Sequence, residues 1–554
     1  MIRKSGNRFS EEIMPKHKMR AATYHDRPCA SKRPDPCSYP MIRSFLTVST
    51  GTLASRLLGF ARDSMLAALL GAGPVADAFL VAFQLVNVIR RLLTEGALNA
   101  ALVPAWLRVR EAEGAVAASA FAGRVLGTVS AALIAATALI GLLMPLILTA
   151  LAPGFAGQAT LQLAVDDARL MLPYLAFAGP VTVMMALMNA QARFALTAFS
   201  PLLFNIALIA AMIALLGWRQ DPAVAALVIA ATVGIAGLLQ LSILVLRRGG
   251  SIATPLRVAF DAEMRGFLGR AIPGMIASSG PQWLMVAGAV IASSSPSAVS
   301  WLYFANRLIE LPLGIVGVAM GTVLVPELTR ALEAADRAAV AQAESRGLEL
   351  AVGLALPATL GLMVLSEPVV RMLFQHGVFT ASDSAATAQA LLWLALGLPA
   401  HVLVKALSPA FFARHDTRAP LKATLTGVAV AIVAALVLGR LFGASGIAAG
   451  IALGAWSNAF SLIRRGAASF GFAIDAAARR RLPRIAGAAL AMGGVLWLAA
   501  AILPLAADIH GLAQAALLLT LIAAGIAIYG LFLALSGVTG WSEAIGAIRR
   551  NRAP

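Results

Sequence analysis

Charge is scarce in this sequence. Only 13% of the 554 residues are Asp, Glu, Lys or Arg, whereas 60% are hydrophobic and the mean hydropathy is +0.83. Apolar runs of about 20 residues recur between residues 43 and 537, long enough to cross a bilayer as helices. In lipid each spanning segment must satisfy its own backbone hydrogen bonds, as a helix does. The composition therefore excludes a soluble protein and predicts an all-α polytopic membrane protein.

Cysteine is almost absent, and both residues, Cys29 and Cys37, precede the first apolar run. The apolar body thus has no disulfide, thiolate metal site or cysteine nucleophile. No Walker A, GxSxG or HExxH motif occurs, and neither His376 nor His401 has ligand-type neighbours at metal-binding spacing. We therefore expect no enzyme, no metal and no cofactor, and the usual ATPases, serine hydrolases and zinc proteases are disfavoured.

The apolar runs predict about fourteen transmembrane helices from Met41 onward. Their expected ranges are 43–69, 75–107, 120–151, 163–190, 198–217, 222–246, 266–292, 298–328, 347–374, 384–412, 420–441, 445–463, 484–505 and 510–536. Alternate connections carry most of the Lys and Arg, so these connections and both termini are predicted to be cytoplasmic. Topology thus accounts for the net charge of +18, and no nucleic-acid partner is expected.

Residues 1–40 differ from the rest because they are polar and contain no signal-peptide h-region. They are expected to be a disordered tail, or an upstream extension before a start at Met41. Beyond them the chain repeats weakly. Residues 172–201 can be laid on 391–420, so that Pro180 meets Pro399 and Pro201 meets Pro420 at an offset of 219 residues.

A second pair of segments, GALNAALVP and GVAMGTVLVP, ends at Pro104 and Pro326, at nearly the same offset. The expected organisation is two six-helix halves, two additional helices and a cytoplasmic C-terminal tail. The corresponding ranges are 41–250, 251–470, 471–540 and 541–554. Repeated halves are typical of secondary transporters, which hold their substrate between the halves and alternate its access.

Charged residues interrupt the first two apolar segments. They are Arg56, Arg62, Asp63, Asp77, Arg90, Arg91 and Glu95. Each would cost roughly 2.5 to 3.5 kcal/mol at the bilayer centre, so they are expected to line a watery cavity. On the first helix, Arg56 and Asp63 are seven residues apart and share a face, with Arg62 at its edge.

The second helix carries a polar stripe that we interpret as the wall and gate of the cavity. Asp77, Gln84, Arg91 and Glu95 follow at spacings of 7, 7 and 4, which covers about 27 Å of the roughly 30 Å hydrocarbon layer. Arg90 lies about 100° round the helix from its neighbour. It is expected to bind headgroups or to contact an adjoining helix.

The second half supplies a partner cluster, in which Asn306 or Arg307 can share a face with Glu310 at helical spacing. After pairing with the available carboxylates, positive charge remains in excess, and the planar fork of Arg suits phosphate or carboxylate. The alternative for each arginine is a salt bridge that fixes helix packing, or snorkelling to an interface. For Lys405, helix packing and substrate contact are both open.

Five segments resemble the MurJ family, also called MviN. They are SRLLGFARD (55–63), ADAFLVAFQLVNVIRRLLTEGALNAALVP (76–104), YFANRLIELPLGIVGVAMGTVLVPEL (303–328), and FQHGVFTASD with VLVKALSPAFFARHDTRAPLK (within 374–422). The resemblance runs from about Met41 to the end. It implies a lipid II flippase of the multidrug, oligosaccharidyl-lipid and polysaccharide exporter superfamily, in the bacterial cytoplasmic (inner) membrane.

The resemblance also implies roles for individual residues. Arg56, Arg62, Asp63, Arg307 and Glu310 would form the substrate site, in which Arg62, Asp63 and Arg307 meet the diphosphate. The last two helices would form a groove for the lipid tail, and the cell-wall synthesis machinery is a further expected partner. Coupling to the membrane potential or to a monovalent ion is expected, but 266–292 and 420–441 lack the carboxylate of a sodium site.

Three alternatives to a lipid II flippase remain at this point. A related transporter could carry another polyprenyl-linked oligosaccharide or a drug, although cationic drugs favour acidic and aromatic cavities. A membrane-embedded polyprenyl-phosphate transferase would also need arginines, but it would add a metal-binding acidic motif. A scaffold of the wall-synthesis machinery would not require a polar stripe across the bilayer.

Overall fold

The structure is a computed structural model. It describes residues 38–538 apart from 95–96, 192, 219, 248–252, 254, 263, 270–279, 321–323, 335, 413, 415, 417, 473 and 504–510. By internal contacts the chain divides into residues 1–46 and 47–554. The first unit contributes to the described part only the start of the first helix. Of the predicted tail 1–40, residues 1–37 lie outside the described residues and 38–40 begin that helix, and the predicted tail 541–554 lies outside the described residues as well.

The described residues form helices joined by short connections, and no strand occurs among them. The helices are α1 Ser38–Leu70, α2 Pro74–Thr94, α3 Ala97–Leu142, α4 Met144–Leu151, α5 Ala159–Met171, α6 Pro173–Ala190, α7 Phe194–Trp218, α8 Pro222–Arg247, α9 Gly280–Ala292, α10 Ala298–Ala319, α11 Val325–Glu333, α12 Arg337–Val364, α13 Ser366–Phe374, α14 Ala381–Phe412, α15 Arg418–Phe470, α16 Ala476–Ile502 and α17 Leu512–Leu535. A 3₁₀ turn, Pro153–Phe155, follows α4. The predicted all-α class is confirmed.

Within the described ranges, nine helices are long and apolar enough to cross a membrane. The count of fourteen spans therefore stays a prediction. Several expected helices are divided: the range 163–190 breaks at Leu172, where Pro173 opens α6, because proline lacks the N–H that a continuing helix would need. The range 347–374 breaks at Leu365, and the range 75–107 separates into α2 and the start of α3.

α15 contains two arms that meet at Gly443, whose φ of 59° and ψ of −137° are not helical. The arms pack with almost no side chain between them. A Cβ on Gly450 would lie 2.4 Å from the backbone nitrogen of Ala435, and one on Gly454 would lie 2.6 Å from the carbonyl oxygen of Gly427. Small residues permit this approach, which is how helices associate in lipid, where the hydrophobic effect does not drive them together.

The segment before α9 lies along α3. Thr128 Oγ accepts from the backbone N–H of Ala259 at 3.0 Å, and a Cβ on Gly127 would lie 2.5 Å from the carbonyl oxygen of Arg257. Arg124 forms an ion pair with Asp261 at 2.8 Å. The connection between the two predicted halves is therefore fixed to a helix of the first half.

α10 is the helix on which the charged residues of several helices converge. It packs against α2, α14 and α12, and it contacts α1 through side chains described below. Pro312 lies inside it and removes one backbone donor from the helix. Charged residues of α1, α2 and α10 therefore meet at this helix.

Candidate substrate-binding site

Asp63 on α1 lies at the centre of the charge cluster, with a side chain that is fully buried. One carboxylate oxygen accepts from Arg62 Nη2 at 2.6 Å and Nε at 2.9 Å, and from the Tyr303 hydroxyl at 3.3 Å. The other oxygen lies 2.5 Å from Nε of Arg307 on α10. One carboxylate thus joins two guanidinium groups from α1 and α10, which belong to different predicted halves.

Glu310 extends this cluster along α10. It accepts from Arg307 Nη1 at 2.7 Å and lies 3.5 Å from Nη2 of Arg91 on α2. The side chains of Arg62, Arg307 and Arg91 keep 11%, 22% and 27% of their surface exposed. A ligand can therefore contact the side chains of these three arginines, whereas the side chain of Asp63 is inaccessible.

The position of Arg62 is set from three sides. Its Nη1 donates to the side-chain oxygen of Asn205 on α7 at 3.1 Å, and Asn205 donates to the backbone oxygen of Ser55 at 3.1 Å. Its guanidinium carbon lies 5.2 Å from the ring centre of Phe83 and 5.9 Å from that of Phe204, within cation–π range. These contacts fix the direction of the guanidinium plane before any ligand binds.

Together these five charged residues have an excess of positive charge. Arg62, Arg91 and Arg307 contribute three positive charges, and Asp63 and Glu310 contribute two negative ones, so the net charge of these five side chains is +1. Guanidinium groups bind carboxylate and phosphate oxygens through parallel hydrogen bonds. The arrangement is suited to an anion that replaces or joins the two carboxylates.

Two members of the predicted stripe on α2, Asp77 and Arg91, contact α10, but Asp77 does not line a watery cavity. Asp77 is 2% exposed and accepts from the backbone N–H of Ser300 at 2.9 Å and from its hydroxyl at 2.5 Å. Ser300 lies in the first turn of α10 and Glu310 further along it, and their partners Asp77 and Arg91 follow in the same order on α2. The two helices therefore run in the same direction, and Asp77 lies at one end of their contact. Arg90 donates to Asn87 at 3.3 Å, and Glu95 lies outside the described residues.

Arg56 lies near the cluster but does not join it. A Cβ on Gly314 of α10 would come within 1.7 Å of Arg56 Nη1, so the guanidinium occupies the space of the missing side chain. The prediction that Arg62, Asp63, Arg307 and Glu310 come together is met by the geometry. Arg56 contacts the same helix two turns further along.

Three participants were missed because they carry no charge. Asn205, Tyr303 and Ser300 each place a polar atom on a charged member of the site. The available signal was their polarity: Asn205 is a lone amide in the apolar run 198–217. In the part of the chain that the structure describes, no group of three or more His, Cys, Asp or Glu could hold a metal ion.

The sequence matches the family model described as "Lipid II flippase MurJ" over residues 66–511. It is also 38% identical over 517 residues to a "Probable lipid II flippase MurJ" of Rhizobium meliloti (strain 1021), covering 92% of this chain and 96% of that one. The chain belongs to the MurJ family. A "Lipid II flippase MurJ" of Burkholderia cenocepacia is 34% identical over 395 residues, which are 70% of this chain and 76% of that protein.

Solved structures support the fold of a MurJ family member. One titled "Lipid II flippase MurJ, inward closed conformation" has a TM-score of 0.74 at 21% identity and covers 88% of this chain and 98% of that one. An inward-facing multidrug MATE transporter of the MOP superfamily has a TM-score of 0.63 at 14% identity, covering 80% and 98%. The multi-pass membrane architecture is thus the transporter fold that the MurJ resemblance implied.

Proposed function

We propose that this protein translocates lipid II, an undecaprenyl-diphosphate-linked peptidoglycan precursor, from the inner to the outer leaflet of the bacterial cytoplasmic membrane. Membership of the MurJ family supports the activity, because the matching relatives carry the name lipid II flippase. The observation in this chain that carries it is the cluster in which Arg62 and Arg307 share the buried Asp63.

In the proposed mechanism the diphosphate displaces Asp63 as the partner of the two guanidinium groups. Arg62 and Arg307 belong to different predicted halves. A ligand bound by both therefore links the halves and shifts when they move relative to each other. Rocking of the halves then exposes the headgroup to the opposite side while the polyprenyl tail stays in lipid. Asp63 regains its partners on release, which keeps the binding from becoming too tight.

The finer organisation is part of the same proposal. It comprises fourteen spans in two six-helix halves, 41–250 and 251–470, with both termini cytoplasmic and α16 and α17 forming a groove for the lipid tail. Coupling to the membrane potential or to a monovalent ion, and contact with the wall-synthesis machinery, are proposed as well. A drug exporter is disfavoured, because an excess of arginine would repel a cationic cargo.

Depletion and complementation in a bacterial host test this proposal. After depletion, lipid II should accumulate on the inner leaflet, out of reach of an externally added modifying enzyme. The wild-type chain should restore outer-leaflet access, and Arg62→Ala with Arg307→Ala should not. The control is Arg346→Ala, which removes an exposed pair with Glu327, and which should complement. Normal outer-leaflet access in depleted cells would overturn the flippase assignment.

A further inference from the structure

Asp167 on α5 is a buried carboxyl group without a partner. It is 2% exposed, and its Oδ1 atom is enclosed by protein and accepts no hydrogen bond. In the part of the chain that the structure describes, no Lys or Arg forms an ion pair with it. Asp167 is therefore a titratable group that takes no part in the Asp63 cluster.

The other buried carboxyl groups among the described residues all have partners. They are Asp63, Asp77, Glu344 and Asp383. Asp63 and Glu344 form ion pairs with arginines. Asp77 and Asp383 accept hydrogen bonds from α10. An isolated ionised carboxylate is so costly to bury that such a group keeps its proton instead. Asp167 is thus the carboxyl group for which burial favours the neutral, protonated form.

The place of Asp167 on α5 prevents its side chain from turning towards solvent. The buried residues of α5 are Thr160, Ala164, Val165, Asp167, Ala168 and Met171. Most of them recur every three or four residues, so Asp167 lies in the middle of the buried face. The neighbouring Asp166 is half-buried and accepts from Gln162 at 3.1 Å, and Arg169 is exposed. Only Asp167 of these charged residues is enclosed.

The elements packed against α5 supply no counter-ion for Asp167. They are α2, α8, α4, α6 and the 3₁₀ turn after α4. The range Pro222–Leu246 of α8, α4 and the 3₁₀ turn contain no ionisable side chain, and α6 contributes only the hydroxyl of Tyr174. The charged residues of α2 are Asp77, Arg90 and Arg91. Each of these three has a partner on α2 or α10.

α2 connects the surroundings of Asp167 with the Asp63 cluster. It packs against both α5 and α10, and its Arg91 lies 3.5 Å from Glu310 of α10. The connection before α5, residues 152–158, contains no Lys or Arg and is therefore expected on the outer side of the membrane. Asp167 lies about 12 Å along α5 from its start, within the roughly 30 Å hydrocarbon layer. A shift of α2 against α5 would open a path from Asp167 to water.

We infer that Asp167 is a proton-binding site that couples transport to a proton gradient. This inference rests on the proposed function, because it names the ion and the residue that drive the same movement. In the present conformation the carboxyl group is neutral. When the halves rock, α2 moves and water reaches Asp167. The O–H bond then breaks, its electron pair stays on the carboxylate, and the proton passes to water. The outer side supplies the proton and the cytoplasm receives it, one for each cargo molecule that moves outwards.

Infrared spectroscopy of the full-length chain in lipid nanodiscs tests whether Asp167 holds a proton. A protonated carboxyl group has a C=O stretching band that an ionised carboxylate lacks. The difference spectrum between the wild-type chain and Asp167→Asn should contain this band at neutral pH, because Asn keeps the shape of the side chain without its acid group. The matched control is Asp166→Asn, whose difference spectrum should lack the band.

Transport under an imposed pH gradient tests the coupling. The chain is reconstituted in one orientation in proteoliposomes that contain lipid II, and valinomycin with equal potassium on both sides holds the membrane potential at zero. If one proton crosses for each cargo molecule, a gradient of one pH unit shifts the steady-state ratio of lipid II between the leaflets about tenfold. Asp167→Asn should abolish the shift, and Asp166→Asn should keep it.

Each other result overturns a stated part of the inference. If the acid band is missing from the Asp167→Asn difference spectrum, the carboxyl group is ionised and the proton site is refuted. If Asp167→Asn keeps the shift, the coupling belongs to another residue. If a sodium gradient produces the shift and a pH gradient does not, the ion is wrong. If the acid band is present but the wild-type chain moves no lipid II, the proposed function fails and the proton site stands.

Discussion

Asp63→Asn is the change that tests most directly how the cluster is balanced. It keeps the shape of the side chain and removes its charge, which leaves the guanidinium groups of Arg62 and Arg307 facing each other without their shared carboxylate. Breaking a fully buried ion pair costs about 3 to 5 kcal/mol. Because the two arginine side chains remain 11% and 22% exposed, solvent screening lowers the expected loss of stability to about 2 to 3 kcal/mol.

The same variant should gain an affinity that the wild-type chain has only weakly. Inorganic diphosphate can take the place of the missing carboxylate, and a ligand at one hundred times its Kd stabilises a folded protein by about 2.7 kcal/mol. Diphosphate should therefore restore most of the stability of Asp63→Asn. The wild-type chain should gain much less, because Asp63 already occupies both guanidinium groups.

The free energy of unfolding, measured by urea titration in a nonionic detergent, tests both statements. Glu327→Gln is the control, since its pair with Arg346 is 40% to 55% exposed and such surface pairs contribute about 0 to 1 kcal/mol. Two results would refute the reasoning. One is a change below about 0.5 kcal/mol for Asp63→Asn, which lies within the usual effect of surface substitutions; the other is equal stabilisation of both chains by diphosphate.

Three further changes test the packing around the site. Ser300→Ala removes the hydroxyl that donates to the buried Asp77 and should cost about 1 to 3 kcal/mol of unfolding free energy; an unchanged value would show that the backbone N–H suffices. Gly450→Leu forces a side chain against the backbone of the other arm of α15, so its folded yield in detergent should fall sharply, and wild-type yield would contradict the hairpin. Gly127→Ala displaces the segment at Arg257 and should speed proteolysis there, whereas Gly361→Ala should not.

The contacts of the cluster could be predicted where charge alone determines them. Charge and helical spacing predicted that the charged faces of the first helix and of the segment around Arg307 share a cavity, and the family resemblance implied that Arg62, Asp63 and Arg307 meet there. The Asp77 contact was not predictable, because its partner Ser300 is neutral and the hydroxyl resembles many others in the sequence. The contact between the Arg56 guanidinium and Gly314 depends on how far α1 is shifted along α10, and no local sequence pattern specifies that shift.

The ends of the helices, too, could be predicted from the sequence only in part. Proline at 173 is a local signal, and the break between α5 and α6 could have been recognised from it. The division of 347–374 at Leu365 has a similar signal, because Pro368 lies in the first turn of α13 and cannot donate to the carbonyl oxygen of Val364. The gap between the predicted ranges 420–441 and 445–463 coincides with Gly443, where the two arms of α15 meet. The closeness of the arms could not be predicted, because it depends on which residues of the opposite arm Gly427, Gly450 and Gly454 face.

The hairpin of α15 also has a mechanical consequence. Its arms touch backbone to backbone, so no change of rotamer can let one slide past the other, and a Cβ on Gly397 of α14 would lie 3.0 Å from the Cα of Ala452 on the same hairpin. These helices form a stiff plate. One arm of 25 residues is about 37 Å long, so a tilt of about 10° at one end moves the other by about 6 Å. In the proposed rocking mechanism such a plate would transmit a small rotation at one membrane surface as a displacement of several ångströms at the opposite one.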